Sequence, residues 1–301
     1  MIHKNEQEGF VEVVGGKIWY KIYGTEFLQK KAPLIVIHGG PGLTHNYLLP
    51  LAELSNQRAV IFYDQLGSGK SKLMQNTKEL EHLWQKDRFI EELELLIDHL
   101  NLKKVDLFGH SWGGTLALDY ALKYPEKINK LCLASALIST DWFIADTRRL
   151  LKQLPEEVQQ IINDHDQNKI VDEIAYINAV KIFGKNFICR LQEKPNELLD
   201  TFKGFNEIIY NIMWGTNEFT VTGNLKGYDR SNDLYKLSMP VLLTCGRYDE
   251  VTPETMAVVY EKINSVPGNN VQLIVYEKSA HAPHLEEREL YLHDIRKFLK
   301  M

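Results

Sequence analysis

Short runs of consecutive apolar residues, bounded by turn residues, recur along the chain at positions 33–37, 59–63, 104–108, 130–134, 241–245 and 271–276. Unbroken apolar runs of strand length suit a sheet covered on both faces, where neither side of the pleat meets water. Two more β-rich segments, 10–14 and 17–23, flank Gly15-Gly16, a two-residue hairpin signal. Between the runs the period becomes helical. Phe89, Leu93, Leu96 and Leu100 share one stripe of a helix predicted over 88–100, and 290–299 closes the chain with a similar stripe. A hairpin followed by alternating strands and helices predicts an α/β fold: a mostly parallel sheet with helices on both faces.

The alternation lapses between Ser139 and Lys236. That stretch is helical in composition, with Pro155-Glu156-Glu157 as a helix start, and it is rich in aromatics: Trp142, Phe143, Phe183, Phe187, Phe205, Tyr210, Trp214 and Phe219. It is too long for a connecting loop. The expected organisation is a core domain of residues 1–138 and 237–301 with a helical cap domain, 139–236, over the carboxyl ends of the strands, where open α/β sheets bind ligands.

Composition narrows the function classes. Of 301 residues, 35 are Lys or Arg and 40 are Asp or Glu, a net charge of −5, with 44% hydrophobic and 25% charged residues. This excludes a disordered or fibrous chain, and a dedicated nucleic-acid binder would need a net basic surface. Cys132, Cys189 and Cys245 are scattered and odd in number, the usage of a reducing compartment. The opening MIHKNEQEGF has no apolar run of signal-peptide length, and no stretch reaches the length of a membrane span. A cytoplasmic protein with no membrane or nucleic-acid partner is expected.

The chemistry begins at Gly109-His110-Ser111-Trp112-Gly113-Gly114, between the strand 104–108 and a helical run, 115–124. This is the strand–turn–helix setting of a G-x-S-x-G nucleophile elbow, in which glycines make room for a strained serine. A serine needs a base and an orienting acid, here expected in the order Ser, acid, His. Asp249 follows the strand 241–245 and His281 follows the last strand; Glu250 and His284 compete with them but stand farther from their strands. His281 and His284 with Glu286 and Glu287 also invite a metal reading, but H-E-x-x-H is lacking and Pro283 interrupts any helix that would align the imidazoles. Gly67-Ser68-Gly69-Lys70-Ser71 looks like the tail of a phosphate-binding loop, with Asp64 where its first glycine belongs. Finally, His38-Gly39-Gly40-Pro41-Gly42 resembles a loop whose backbone N–H, placed here at Gly40, completes an oxyanion hole with that of Trp112. No cofactor is expected.

With these motifs placed, nearly the whole chain resembles the proline iminopeptidases of the α/β-hydrolase superfamily. The His38–Gly42 loop, Asp64-Gln65-Leu66-Gly67-Ser68-Gly69-Lys70-Ser71 and the Gly109–Gly114 elbow with its tryptophan carry the likeness. His110 departs from it, since many members have glycine before the serine. The resemblance implies Ser111 as nucleophile, His281 as base and Asp249 as its partner. It also implies Glu218 and Glu250 as the acids that hold the substrate's free amino group, with Tyr210 lining the same subsite. The function expected is release of an N-terminal residue, preferably proline, from short peptides with a free N-terminus. An amidase or carboxylesterase of the same fold, or a non-catalytic hydrolase-like binding module, are the alternatives.

Overall fold

The computed structural model describes residues 5–76, 79–167 and 169–300; the first four residues, on which the reading of the N-terminus partly rests, lie outside it. Strands β1 (Glu6–Val13) and β2 (Gly16–Tyr23) form the hairpin, with Val13 opposite Gly16. There follow β3 (Leu34–Ile37), β4 (Val60–Asp64), a two-residue β5 (Lys72–Leu73), α1 (Lys86–His99), β6 (Val105–His110), α2 (Trp112–Lys123) and β7 (Ile128–Ala134). Five helices come next: α3 (Thr140–Leu151), α4 (Glu156–Asp166), α5 (Glu173–Phe187), α6 (Asn196–Lys203) and α7 (Glu207–Met213). The chain ends with β8 (Val241–Gly246), α8 (Pro253–Asn264), β9 (Val271–Tyr276), the single turn α9 (Pro283–Glu286) and α10 (Arg288–Lys300). The sheet runs β1-β2-β4-β3-β6-β7-β8-β9, with β5 added to β2; it is parallel from β4 onward.

The unbroken apolar runs are explained by burial on both faces. Ile35, Ile61 and Leu107 meet the stripe of α1 and residues of α2 and α8, while their neighbours Val36, Phe62 and Phe108 meet α10 and a 3-10 helix, His45–Asn56. Truncating one of these residues, such as Leu107, to alanine would cost about 2–5 kcal/mol. The 3-10 segment was not anticipated: Pro50 interrupts it, so no helical period announces it. Strand β5 is too short to carry a pattern, and β1 begins at Glu6 rather than Phe10 because its outer half is largely exposed.

The helices between β7 and β8 have an apolar cluster of their own, built by Leu150, Ile162, Phe183, Phe187 and Phe219 among others. Phe143 on α3, Met213 on α7 and the following Trp214 pack instead into the main core. Asp146 on α3 accepts hydrogen bonds from the hydroxyls of Thr252 and Thr255, at 2.8 and 2.6 Å, and so grips the first turn of α8. Among the described residues no helix is long and apolar enough to cross a membrane.

Candidate active site

Strand β6 ends at His110, and Ser111 turns the chain into α2 with φ 56° and ψ −123°. A left-handed φ is strained for serine, and the packing around it leaves the backbone no alternative. A Cβ on Gly113 would meet the carbonyl oxygen of Ile37, so only glycine lets α2 approach β3 this closely. The turn leaves Ser111 at the helix N-terminus, where developing negative charge is favoured.

The adjacent loops deliver the other candidates. His281 Nδ1 lies 2.7 Å from Asp249 Oδ1. The same carboxylate oxygen accepts the N–H of Val251 at 2.9 Å, and Oδ2 accepts the Ser135 hydroxyl at 2.6 Å and the Gly246 N–H at 3.3 Å. Ser135 follows β7 with φ 47° and was not singled out from sequence; a serine next to a strand end carries no local signal of its partner. On the other side of the imidazole, His281 Nε2 is 3.8 Å from Glu250 Oε1. Among the described residues, no hydrogen bond joins His281 to Ser111.

Glu250 is buried, and its Oε2 has no partner. Burial and then the charge of Glu218 hold its pKa well above the ordinary carboxylate value. Glu218, also raised by burial, accepts a short hydrogen bond from the Tyr210 hydroxyl. Burial raises Tyr210 as well, with the charges of Glu218 and Glu250 adding to it. Glu218 lines a narrow cleft together with Gly40, Ser111, Trp112, Phe143 and Trp214. Phe183, Phe187 and Phe219 take no part in it, being the private core of the insertion.

Two buried networks shape the cleft floor. The Gly39 N–H donates to Tyr47 Oη at 2.8 Å, whereas the N–H groups of Gly40 and Trp112 make no hydrogen bond among the described residues. Gly40 has φ 116°, a conformation that suits glycine. Gln65 joins the two sides: its amide donates to the His38 carbonyl at 2.9 Å, and its Oε1 accepts the Trp112 indole N–H at 2.9 Å. Its backbone N–H donates to His38 Nε2, which leaves the His38 proton on Nδ1, toward the Gly39 carbonyl. The second network starts at His110, whose Nε2–H donates to the His281 carbonyl at 2.7 Å. Its Nδ1 must then accept from the Tyr47 hydroxyl, at 2.9 Å. His110, the departure from the sequence pattern, thus connects the histidine loop with the glycine loop. The contacts of Tyr47 and Gln65 were not anticipated from sequence because their partners are distant along the chain.

The alternatives read from sequence find other uses here. Glu286 accepts the N–H groups of Ala280 and Arg190, and Glu287 those of Lys278 and the Ser279 hydroxyl, so both acids build the histidine loop. His284 is buried against the rings of Tyr47, His110 and Tyr291, and burial lowers its pKa to about 3. Among the described residues no cluster of three potential ligands could hold a metal ion. The phosphate-loop tail is no cradle: no helix follows Ser71, and the Lys70 N–H donates to Asp64 Oδ2.

Residues 32–288 match the family model of the alpha/beta hydrolase fold. The chain is 42% identical to the proline iminopeptidase of Heyndrickxia coagulans over 97% of its own length and 98% of that protein. The crystal structure of VinJ superposes with a TM-score of 0.88 at 32% identity, covering 98% of each chain. That of the proline iminopeptidase of Mycobacterium smegmatis does so with a TM-score of 0.87 at 27% identity, again over 98% of each.

Proposed function

The chain belongs to the proline iminopeptidases of the α/β-hydrolase family, and from that premise we propose that it releases N-terminal proline from short peptides through an acyl-enzyme on Ser111. The observation that carries the residue assignment is a pair of acids at one site: Glu218 lines the cleft with Ser111, and Glu250 faces His281 Nε2 at 3.8 Å with its Oε2 unpartnered. Burial disfavours the ionised form of both carboxyl groups, so each calls for a cation with hydrogen-bond donors to ionise against. The ammonium of an N-terminal proline is secondary and has two N–H donors, one for each carboxylate. Its ring would lie against the apolar walls formed by Phe143, Trp214 and Val251.

With the amine held there, the carbonyl oxygen points at the Gly40 and Trp112 N–H groups and its carbon faces Ser111. His281 takes the hydroxyl proton and returns it to the leaving amine; water then releases proline by the reverse sequence. Asp249 orients the imidazole through Nδ1 and stabilises its charged form. We take residues 139–236 as the cap domain, which supplies Glu218 and Tyr210, whereas Glu250 comes from the core.

The test is Glu218→Gln, assayed on proline p-nitroanilide and on p-nitrophenyl acetate. Leaving a buried cation half paired costs about 2–5 kcal/mol, or roughly thirty- to several-thousand-fold in kcat/KM, and the loss should fall on the anilide. Equal losses on both substrates would show that Glu218 supports the fold or the triad, and the amine clamp would be abandoned.

Gln65 supplies a separate prediction. Gln65→Leu leaves the His38 carbonyl and the Trp112 indole N–H unmatched and frees the two sides of the oxyanion hole to drift. A misplacement of this kind costs up to roughly 100-fold in kcat. Steady-state kinetics should show kcat falling with little change in KM. A variant with a lowered melting temperature but normal kcat at 25 °C would reduce Gln65 to a packing role.

A further inference from the structure

The reactive nitrogen of His281 faces an acid as well as a serine. Its Nε2 is 3.8 Å from Glu250 Oε1, in a site where Glu250 Oε2 has no partner and no hydrogen bond ties the imidazole to Ser111 among the described residues. We propose that Glu250 determines specificity through the base as well as the substrate: in the free enzyme it pairs with protonated His281, and the substrate's N-terminal ammonium displaces that pairing, so His281 becomes a base only when an amine is in place. The inference rests on the amine clamp described above.

Every charged group around His281 bears on this. Asp249 and Glu250 face it from the β8–α8 loop, and Glu218 from the insertion. His110 at the end of β6 and His284 on α9 are its histidine neighbours. Burial first, and His281 itself second, hold both of them below their ordinary range, so neither brings a compensating positive charge near neutral pH. One imidazole therefore confronts three carboxyl groups. Burial alone would lower its pKa, but the charge and hydrogen bond of Asp249, followed by Glu250 and Glu218, raise it from 6.5 to about 9.

The charges balance across the switch. With Glu250 ionised opposite the imidazolium and Glu218 ionised beside it, one ammonium enters the carboxylate pair and one proton leaves His281 Nε2 for solvent, so the net charge of the buried cluster is unchanged. The vacated lone pair then takes the Ser111 proton. A neutral ester brings no charge to make this exchange and meets an imidazolium, so it acylates slowly below the raised pKa of about 9 even where it fits. Discrimination thus appears in the rate of acylation as well as in binding.

The decisive comparison is between two pH profiles of the wild-type enzyme. Acylation by p-nitrophenyl acetate, with the clamp empty, should rise along a limb at least one pH unit above the limb in kcat for proline p-nitroanilide, with the clamp filled. In Glu250→Gln the ester limb should move down by about one unit, raising ester turnover up to roughly tenfold at pH 7, while kcat/KM on the anilide falls. Coincident limbs in the wild type overturn the proposal, whatever the variant does. An unmoved ester limb in Glu250→Gln, with anilide activity lost, overturns the switch and leaves the clamp standing. Full anilide activity in that variant overturns the clamp, and the switch with it.

Discussion

Ser111→Ala should fold normally and lose turnover of proline p-nitroanilide by roughly 10⁶-fold, the scale seen when a triad nucleophile is removed. The side chain is small and exposed to the cleft, and the forced φ of 56° is imposed by the surrounding strand and helix, so alanine occupies the same turn. What remains is an oxyanion hole and an amine clamp with nothing to attack the carbonyl. A fluorophosphonate should add one adduct to the wild type, visible in its intact mass, and none to the variant. Activity within tenfold of wild type in Ser111→Ala would overturn the acyl-enzyme mechanism.

Asp249→Asn should be the next most damaging change, lowering kcat by roughly 10⁴-fold with the fold retained. Both oxygens of Asp249 accept: Oδ1 from His281 Nδ1 and Val251 N–H, Oδ2 from Ser135 and Gly246. An asparagine must turn its NH₂ toward one of these pairs of donors. Facing His281 it reverses the tautomer; facing Ser135 it loosens the loop. Glu250 cannot replace the acid, because it lies at Nε2 and not at Nδ1. Circular dichroism and kcat on the anilide decide the matter: a mild effect of Asp249→Asn beside a devastating one of Glu250→Gln would exchange their roles.

Much of the fold was legible because burial on both faces of a parallel sheet writes itself as unbroken apolar runs. The runs at 104–108 and 241–245 correspond to β6 and β8, which end one residue before Ser111 and three before Asp249. The elbow was legible for a related reason: the close approach of α2 to β3 admits only glycine at position 113. Residues that act through distant partners were not. Tyr47 reaches His110 from the 3-10 segment, Ser135 reaches Asp249 across the sheet, and Gln65 spans two loops. None of these contacts has a periodic or spaced signature, so Tyr47 and Ser135 read as ordinary residues and Gln65, though part of a motif, gave no sign of its partners. His110 stood out only as an anomaly, and its donation to the His281 carbonyl gives that anomaly a use.

The private apolar cluster of the insertion divides the labour of the enzyme in a way that bears on its descent. Leu150, Ile162, Phe183, Phe187 and Phe219 support one another without leaning on the sheet, so substitutions among α4 and α5 can reshape the roof while leaving the Ser111, Asp249 and His281 loops undisturbed. The proposed amine clamp straddles that division, with Glu218 on the insertion and Glu250 on the loop after β8. A lineage that remodels its roof would lose half the clamp first, keeping a working acyl-transfer engine and an acid beside its base. New substrates could then be recruited by altering the roof alone, with the catalytic floor inherited intact.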